Sequence, residues 1–192
     1  MRNNLKAKDL VMTGVLSLLG VVIMYVVPMP FVINPYGTLI SPLIQALFLA
    51  IVYFLIGSKV PKTGALLIFC IIMGIAGMAL YYIAALFVAG LVVEFIMKKQ
   101  GYGSKRALTV SYILFAVFNC FAGSLVPYLF FRDATYMQNV QLYGEKYANT
   151  VKSVRSQPIM LGLIIAVGIM AFLGTLFSKR LLKKHFEKAG IL

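Results

Sequence analysis

Few side chains in this sequence can do chemistry. Asn34 and Tyr36 stand in an uncharged loop, Tyr81, Tyr82, Asn119 and Tyr128 carry polar tips into apolar runs, and Arg132 and Asp133 are adjacent charges after one such run. An arginine there can hold a carboxylate or phosphate through two parallel N–H bonds. It can equally snorkel to a membrane surface while the aspartate caps a helix. Asn119, spaced by 7 from Tyr112 and by 4 from Gly123, shares their helix face and must find a hydrogen-bond partner on a neighbouring helix or a polar solute. The tyrosines fit an aromatic belt as well as a pocket; their grouping toward one membrane face is the signal. Glu94, alone among the acids in lying inside a long apolar stretch, can pair with Lys98 one turn on or serve a coupling role.

These residues do not make a catalytic set. A membrane hydrolase needs a nucleophile with a base, paired aspartates or a metal cluster, and the sole histidine, His185, lies in a basic tail. Cys70 and Cys120 lie inside apolar runs and imply no disulfide framework. The Gly-Ser-Lys runs at Gly57 and Gly103 lack the upstream glycine of a phosphate-binding loop. The expectation is a protein that is not an enzyme and holds no metal or cofactor.

The elements that must position these groups are set by composition. Of 192 residues, 61% are hydrophobic and 12% charged, against about 45–50% and about 25% in soluble domains; the mean hydropathy is +0.94. This excludes an ordinary soluble domain. At roughly 20 residues per spanning helix, six spans fill about 120 positions and leave one domain, 1–192, with short connections. The uncharged run 10–27 reads as a retained first helix, because no small-residue cleavage site follows it. Residues 28–38, with three prolines, form a turn-rich loop without helix. A second span covers 39–56, and 57–62 is a basic turn. The stretch 64–97 would be about 51 Å long as one helix, so it splits into two near 77–82. The fifth span covers 107–131 and the sixth 158–177, started by Ser156 and Pro158.

Charge tests the split. With six spans and the N-terminus inside, Arg2, Lys6, Lys8, the pair in 57–62, the four in 98–106 and the five from Lys179 to Lys188 put fourteen basic residues in the cytoplasm. Arg132, Lys146, Lys152 and Arg155 put four outside. One span over 64–97 would divide them nine and nine, so the positive-inside rule favours six spans with both termini cytoplasmic. The net charge of +13 thus marks loops rather than a nucleic-acid surface. Between spans five and six, Tyr136, Val140, Tyr143, Tyr147, Val151 and Val154 recur at spacings of 4, 3, 4, 4 and 3, the period of an amphipathic helix. Asp133 stands where its cap would be and Gly144 where it would bend. A lid over the bundle and an interfacial helix both fit.

The whole chain resembles the substrate-binding S components of energy-coupling factor (ECF) transporters, and most nearly a little-characterised subfamily of them. The likeness rests on K-x-K-D-L at 6–10, Phe131-Arg132-Asp133, Gly144-Glu145-Lys146-Tyr147-Ala148 and L-L-K-K-H-F-E-K-A-G-I at 181–191. It implies a prokaryotic cell-membrane subunit that captures a vitamin or similar micronutrient from outside. Its partners would be a transmembrane coupling (T) subunit and two ATPase subunits. Family members dock through small residues on the first helix; here the stretch is Gly14-x-x-x-Leu18, with Ser17 and Gly20 beside it. The ligand site expected at the outer mouth takes in Asn34, Tyr36, Tyr81, Tyr82, Asn119 and Tyr128, with Arg132 and Asp133 at the rim. The alternatives are a self-sufficient small-solute transporter, against which the missing internal repeat argues, and an intramembrane enzyme.

Overall fold

In lipid, every backbone N–H and C=O must be satisfied within the protein, and a helix does this along its own length. The computed structural model describes residues 4–187, and the described residues form helices and no strands. α1 (Ala7–Val26) is followed by a single turn, α2 (Met29–Val32), then α3 (Gly37–Lys59), α4 (Ala65–Ala76), α5 (Leu80–Gln100) and α6 (Lys105–Cys120). A π-helical stretch, Phe121–Leu125, joins α6 to α7 (Val126–Phe130). Then come α8 (Arg132–Tyr143), α9 (Glu145–Val154), α10 (Gln157–Leu181) and a second π-helical stretch, Leu182–Glu187.

Five helical stretches are long and apolar enough to cross a membrane: Ala7–Val32, Gly37–Lys59, Leu80–Gln100, Lys105–Phe130 and Gln157–Lys184. The remaining expected span, the third in chain order, is α4, which has 12 residues and reaches about 18 Å, short of the ~30 Å hydrocarbon core. The 64–97 stretch does break inside the expected window, but unequally. Gly64, at φ +93°, starts α4, and Met78, at φ +55°, turns the chain after it. A Cβ on Gly77 would lie 2.3 Å from the Tyr82 ring, so a larger residue would obstruct this corner. Gly74 then lies against Ile83, and Gly90 against Leu67 and Cys70, which makes α4 and α5 an antiparallel pair.

Three smaller expectations are corrected. The 28–38 loop contains α2, with Pro30 in its first turn, where the missing N–H costs nothing. Asp133 is not the cap of α8: Phe131 holds that position, and Asp133 lies in the first turn, where a carboxylate still meets the positive end of the helix. Glu94 forms no ion pair with Lys98; it accepts from the backbone N–H of Gly64 at 2.8 Å and the Tyr102 hydroxyl at 2.7 Å. Arg2, Lys188, the end of the 181–191 motif and the side chain of His185 lie outside the described residues.

The core is centred on α3. Tyr53, Phe69, Tyr112 and Phe115 are fully buried, with ring centroids 5.1–6.1 Å apart. The Tyr53 hydroxyl donates to Ser111 Oγ at 2.9 Å and that of Tyr112 to the Ala46 carbonyl, so neither phenol is buried unsatisfied. Outward-facing Val11, Val15, Leu18 and Val22 of α1 and Leu161, Ile165 and Ile169 of α10 are exposed, as a lipid-facing surface requires.

Candidate functional site: a cavity under the α8–α9 hairpin

The amphipathic segment folds back on itself. Gly144, at φ +87°, is the corner between α8 and α9, and the Tyr136 hydroxyl donates to Asn149 Oδ1 at 3.0 Å across the pair. α9 is docked: Ala148 and Val151 are buried, and the Tyr147 hydroxyl donates to the Val32 carbonyl in α2 at 2.5 Å. α8 buries none of its residues. It is tied at its start, where Thr135 Oγ1 donates to the Pro127 carbonyl at 3.1 Å and Phe131, its cap, stacks on Tyr81 with centroids 5.0 Å apart.

Arg155, just past α9, holds this end together. Pro42 has no N–H to give the Thr38 carbonyl four residues before it, and that carbonyl accepts from Arg155 Nη2 at 2.8 Å. Nη1 donates to the Ser124 carbonyl at 3.3 Å. The guanidinium lies 4.3 Å from the centroid of the Tyr128 ring, close enough for a cation–π contact. Burial pulls its pKa below the usual arginine value.

Between α7, α8, α9 and the start of α10 is a cavity of about 260 Å³. Arg132, Lys152, Arg155, Tyr128 and Asn139 supply its polar walls, and Leu129, Ala148 and Met160 its apolar ones. A second space of about 230 Å³, lined by Leu125, Leu129, Gln157, Met160 and Leu161, adjoins it through Leu129, Gln157 and Met160.

Of the eight residues expected at the mouth, Tyr128 and Arg132 line this cavity. Tyr82 and Asn119 lie in a buried polar chain: the Tyr82 hydroxyl donates to Asn119 Oδ1 at 2.6 Å, Asn119 Nδ2 to Gln45 Oε1 at 2.9 Å, and Gln45 Nε2 to the Met24 carbonyl at 2.9 Å. Those bonds link α5, α6, α3 and α1. Asn34 Oδ1 accepts from the Tyr36 N–H at 3.0 Å within its own exposed turn. Asp133 is exposed and Tyr81 half-buried, and neither lines the cavity. Sequence reasoning missed Lys152, Arg155, Asn139 and Gln157. Their signal was faint: two cations three apart at the end of α9 and just past it, immediately before the start of the last span.

The three small residues of α1 separate. Ser17 and Gly20 are buried, Gly20 so closely that a Cβ would lie 3.0 Å from the Phe69 ring. Gly14 has no heavy atom within 4 Å of where a Cβ would stand.

An all-helical membrane protein with a polar cavity at one end is the class that fold and site define. The chain belongs to the bacterial family described as hypothetical bacterial integral membrane protein (Trep_Strep), whose model matches residues 7–188. No curated protein and no solved structure matches it.

Proposed function

We propose that this integral membrane protein is the substrate-binding (S) subunit of an ECF-type importer, with no catalysis of its own. It captures a small micronutrient from outside and passes it through a coupling subunit driven by two ATPases. The observation that carries the reading is the cavity of about 260 Å³ beneath a helical hairpin, near the lower end of the ~300–1,000 Å³ typical of small-molecule sites. It lies at the end of the bundle to which the charge count assigns the outside.

In this reading both termini and the turns around Lys62 and Gly101 face the cytoplasm, and α1 offers Gly14 to the coupling subunit, while Ser17 and Gly20 serve the bundle's own packing. The test is co-expression with a coupling module. The tagged protein should retain coupling and ATPase subunits, and Gly14→Leu should weaken that complex while sparing ligand binding. Labelling of a single cysteine at 102 from outside intact cells would overturn the orientation, and failure to retain any coupling subunit would overturn the importer assignment. The runner-up, a self-sufficient small-solute transporter, predicts solute flux by the purified chain alone in vesicles.

A further inference from the structure

The cavity gathers positive charge without an acid. Arg132, Lys152 and Arg155 line it and no carboxylate does; among the described residues the one ion pair is Lys62 with Asp9, at the opposite end of the bundle. Lys152 is 5.4 Å from the centroid of the Tyr136 ring, and no carboxylate pairs with Arg132 among the described residues.

Arg155 is the most constrained of the three. Thr38 and Ser124 accept from three of its N–H groups, and a guanidinium has five, so two have no acceptor among the described residues. Its charge is taken partly out of water with no opposite charge to offset the cost. A fixed, half-buried cation with spare donors, flanked by two exposed cations, is suited to grip an anion in bidentate fashion.

The opposite wall is of another character. Leu129 and Met160 continue from the cavity into the adjoining apolar space, so one side offers charge and the other a place for apolar surface.

Resting on the reading of this chain as a solute-capturing subunit, we propose that the cavity binds a molecule carrying a carboxylate or phosphate on a compact apolar body, the anion held by Arg132, Lys152 and Arg155 and the body lying along Leu129 and Met160. A free solute and a lipid headgroup share this chemistry, and the test separates them.

The protein is reconstituted in nanodiscs of phosphatidylcholine alone and titrated with phenyl phosphate, with benzyl alcohol as the uncharged control. A parallel set of discs contains phosphatidic acid and no soluble probe. Arg132→Gln combined with Lys152→Gln is the variant, because both side chains are exposed and their loss leaves the bundle intact; Arg155 stays in place. Phenyl phosphate should bind and raise the unfolding temperature, benzyl alcohol should not, and the double variant should bind at least tenfold more weakly. Saturation in phosphatidylcholine discs supports a soluble anion. Charge-dependent binding of phosphatidic acid, with no response to phenyl phosphate, supports the site with a lipid headgroup as its source. Absence of binding by both probes, or equal binding by the double variant, overturns the proposal. The importer reading fails separately: loss of coupling-subunit assembly with anion binding intact overturns that reading and leaves the site. A neutral molecule co-purifying in the cavity of an assembly-competent protein overturns the anion and leaves the importer.

Discussion

The two ends of the bundle handle charge in opposite ways. Where α1 and α4 begin and α5 stops, the acids are matched: Asp9 accepts from the Lys6 N–H at 2.8 Å and from Lys62 Nζ at 2.6 Å, and Glu94 from Gly64 and Tyr102. The bonds of Lys62 to Asp9 and of Gly64 and Tyr102 to Glu94 join separate segments of the chain, so each acid there is met by donors of the protein itself. Under the α8–α9 hairpin, three cations face a cavity without a carboxylate, and Arg155 both braces the fold and keeps donors in reserve. Groups that merely close a fold are satisfied within it. Departures from that rule concentrate where a protein does its work.

The largest effect that could break this contrast is Arg155→Met. It removes three charge-assisted bonds and strands the Thr38 carbonyl, at about 2–3 kcal/mol, and it should abolish ligand binding as well. Chemical unfolding and calorimetry would read both; a stable variant with wild-type affinity would mean that Arg155 is neither brace nor ligand group. Next is Asn119→Ala, which leaves the Tyr82 hydroxyl without its acceptor and Gln45 Oε1 without its donor in the bundle. It should cost about 2 kcal/mol and leave affinity within twofold. A tenfold loss of affinity without destabilisation would move the site inward to the buried chain.

Smaller effects sharpen the other end. Glu94→Gln keeps an acceptor but loses the charge, so a loss of about 1 kcal/mol with unchanged ligand affinity is expected. Lys62→Gln removes a partly exposed ion pair, and such pairs contribute little. Its unfolding midpoint and ligand affinity should both match the wild type. A change of affinity in either variant would show that the matched end is not merely structural.

How much of this was legible in the sequence follows from how local each signal is. The break between α4 and α5 could be read because 34 apolar residues cannot be one span, and Gly77 and Met78 make the corner. The shortness of α4 could not, since apolar composition does not say how a run is divided. Asn119 announced its need for a partner, but Gln45 is 74 positions away and Tyr82 37. Arg155 gave almost nothing: its acceptor Thr38 lies 117 positions back and is free because Pro42 cannot donate. The hairpin's period and the Gly144 bend were visible; that α9 docks while α8 does not depends on contacts between distant segments.

The central claim is that the cation-lined end, and not the matched end, holds the solute. Native mass spectrometry of protein released gently from membranes tests it in one series: wild type, Arg132→Glu with Lys152→Glu, and Lys62→Gln. The account predicts one small molecule per chain on the wild type and on Lys62→Gln, and none on the charge-reversed variant at the same folded mass and monodispersity. A small molecule retained by the charge-reversed protein, or lost with Lys62→Gln, would contradict it.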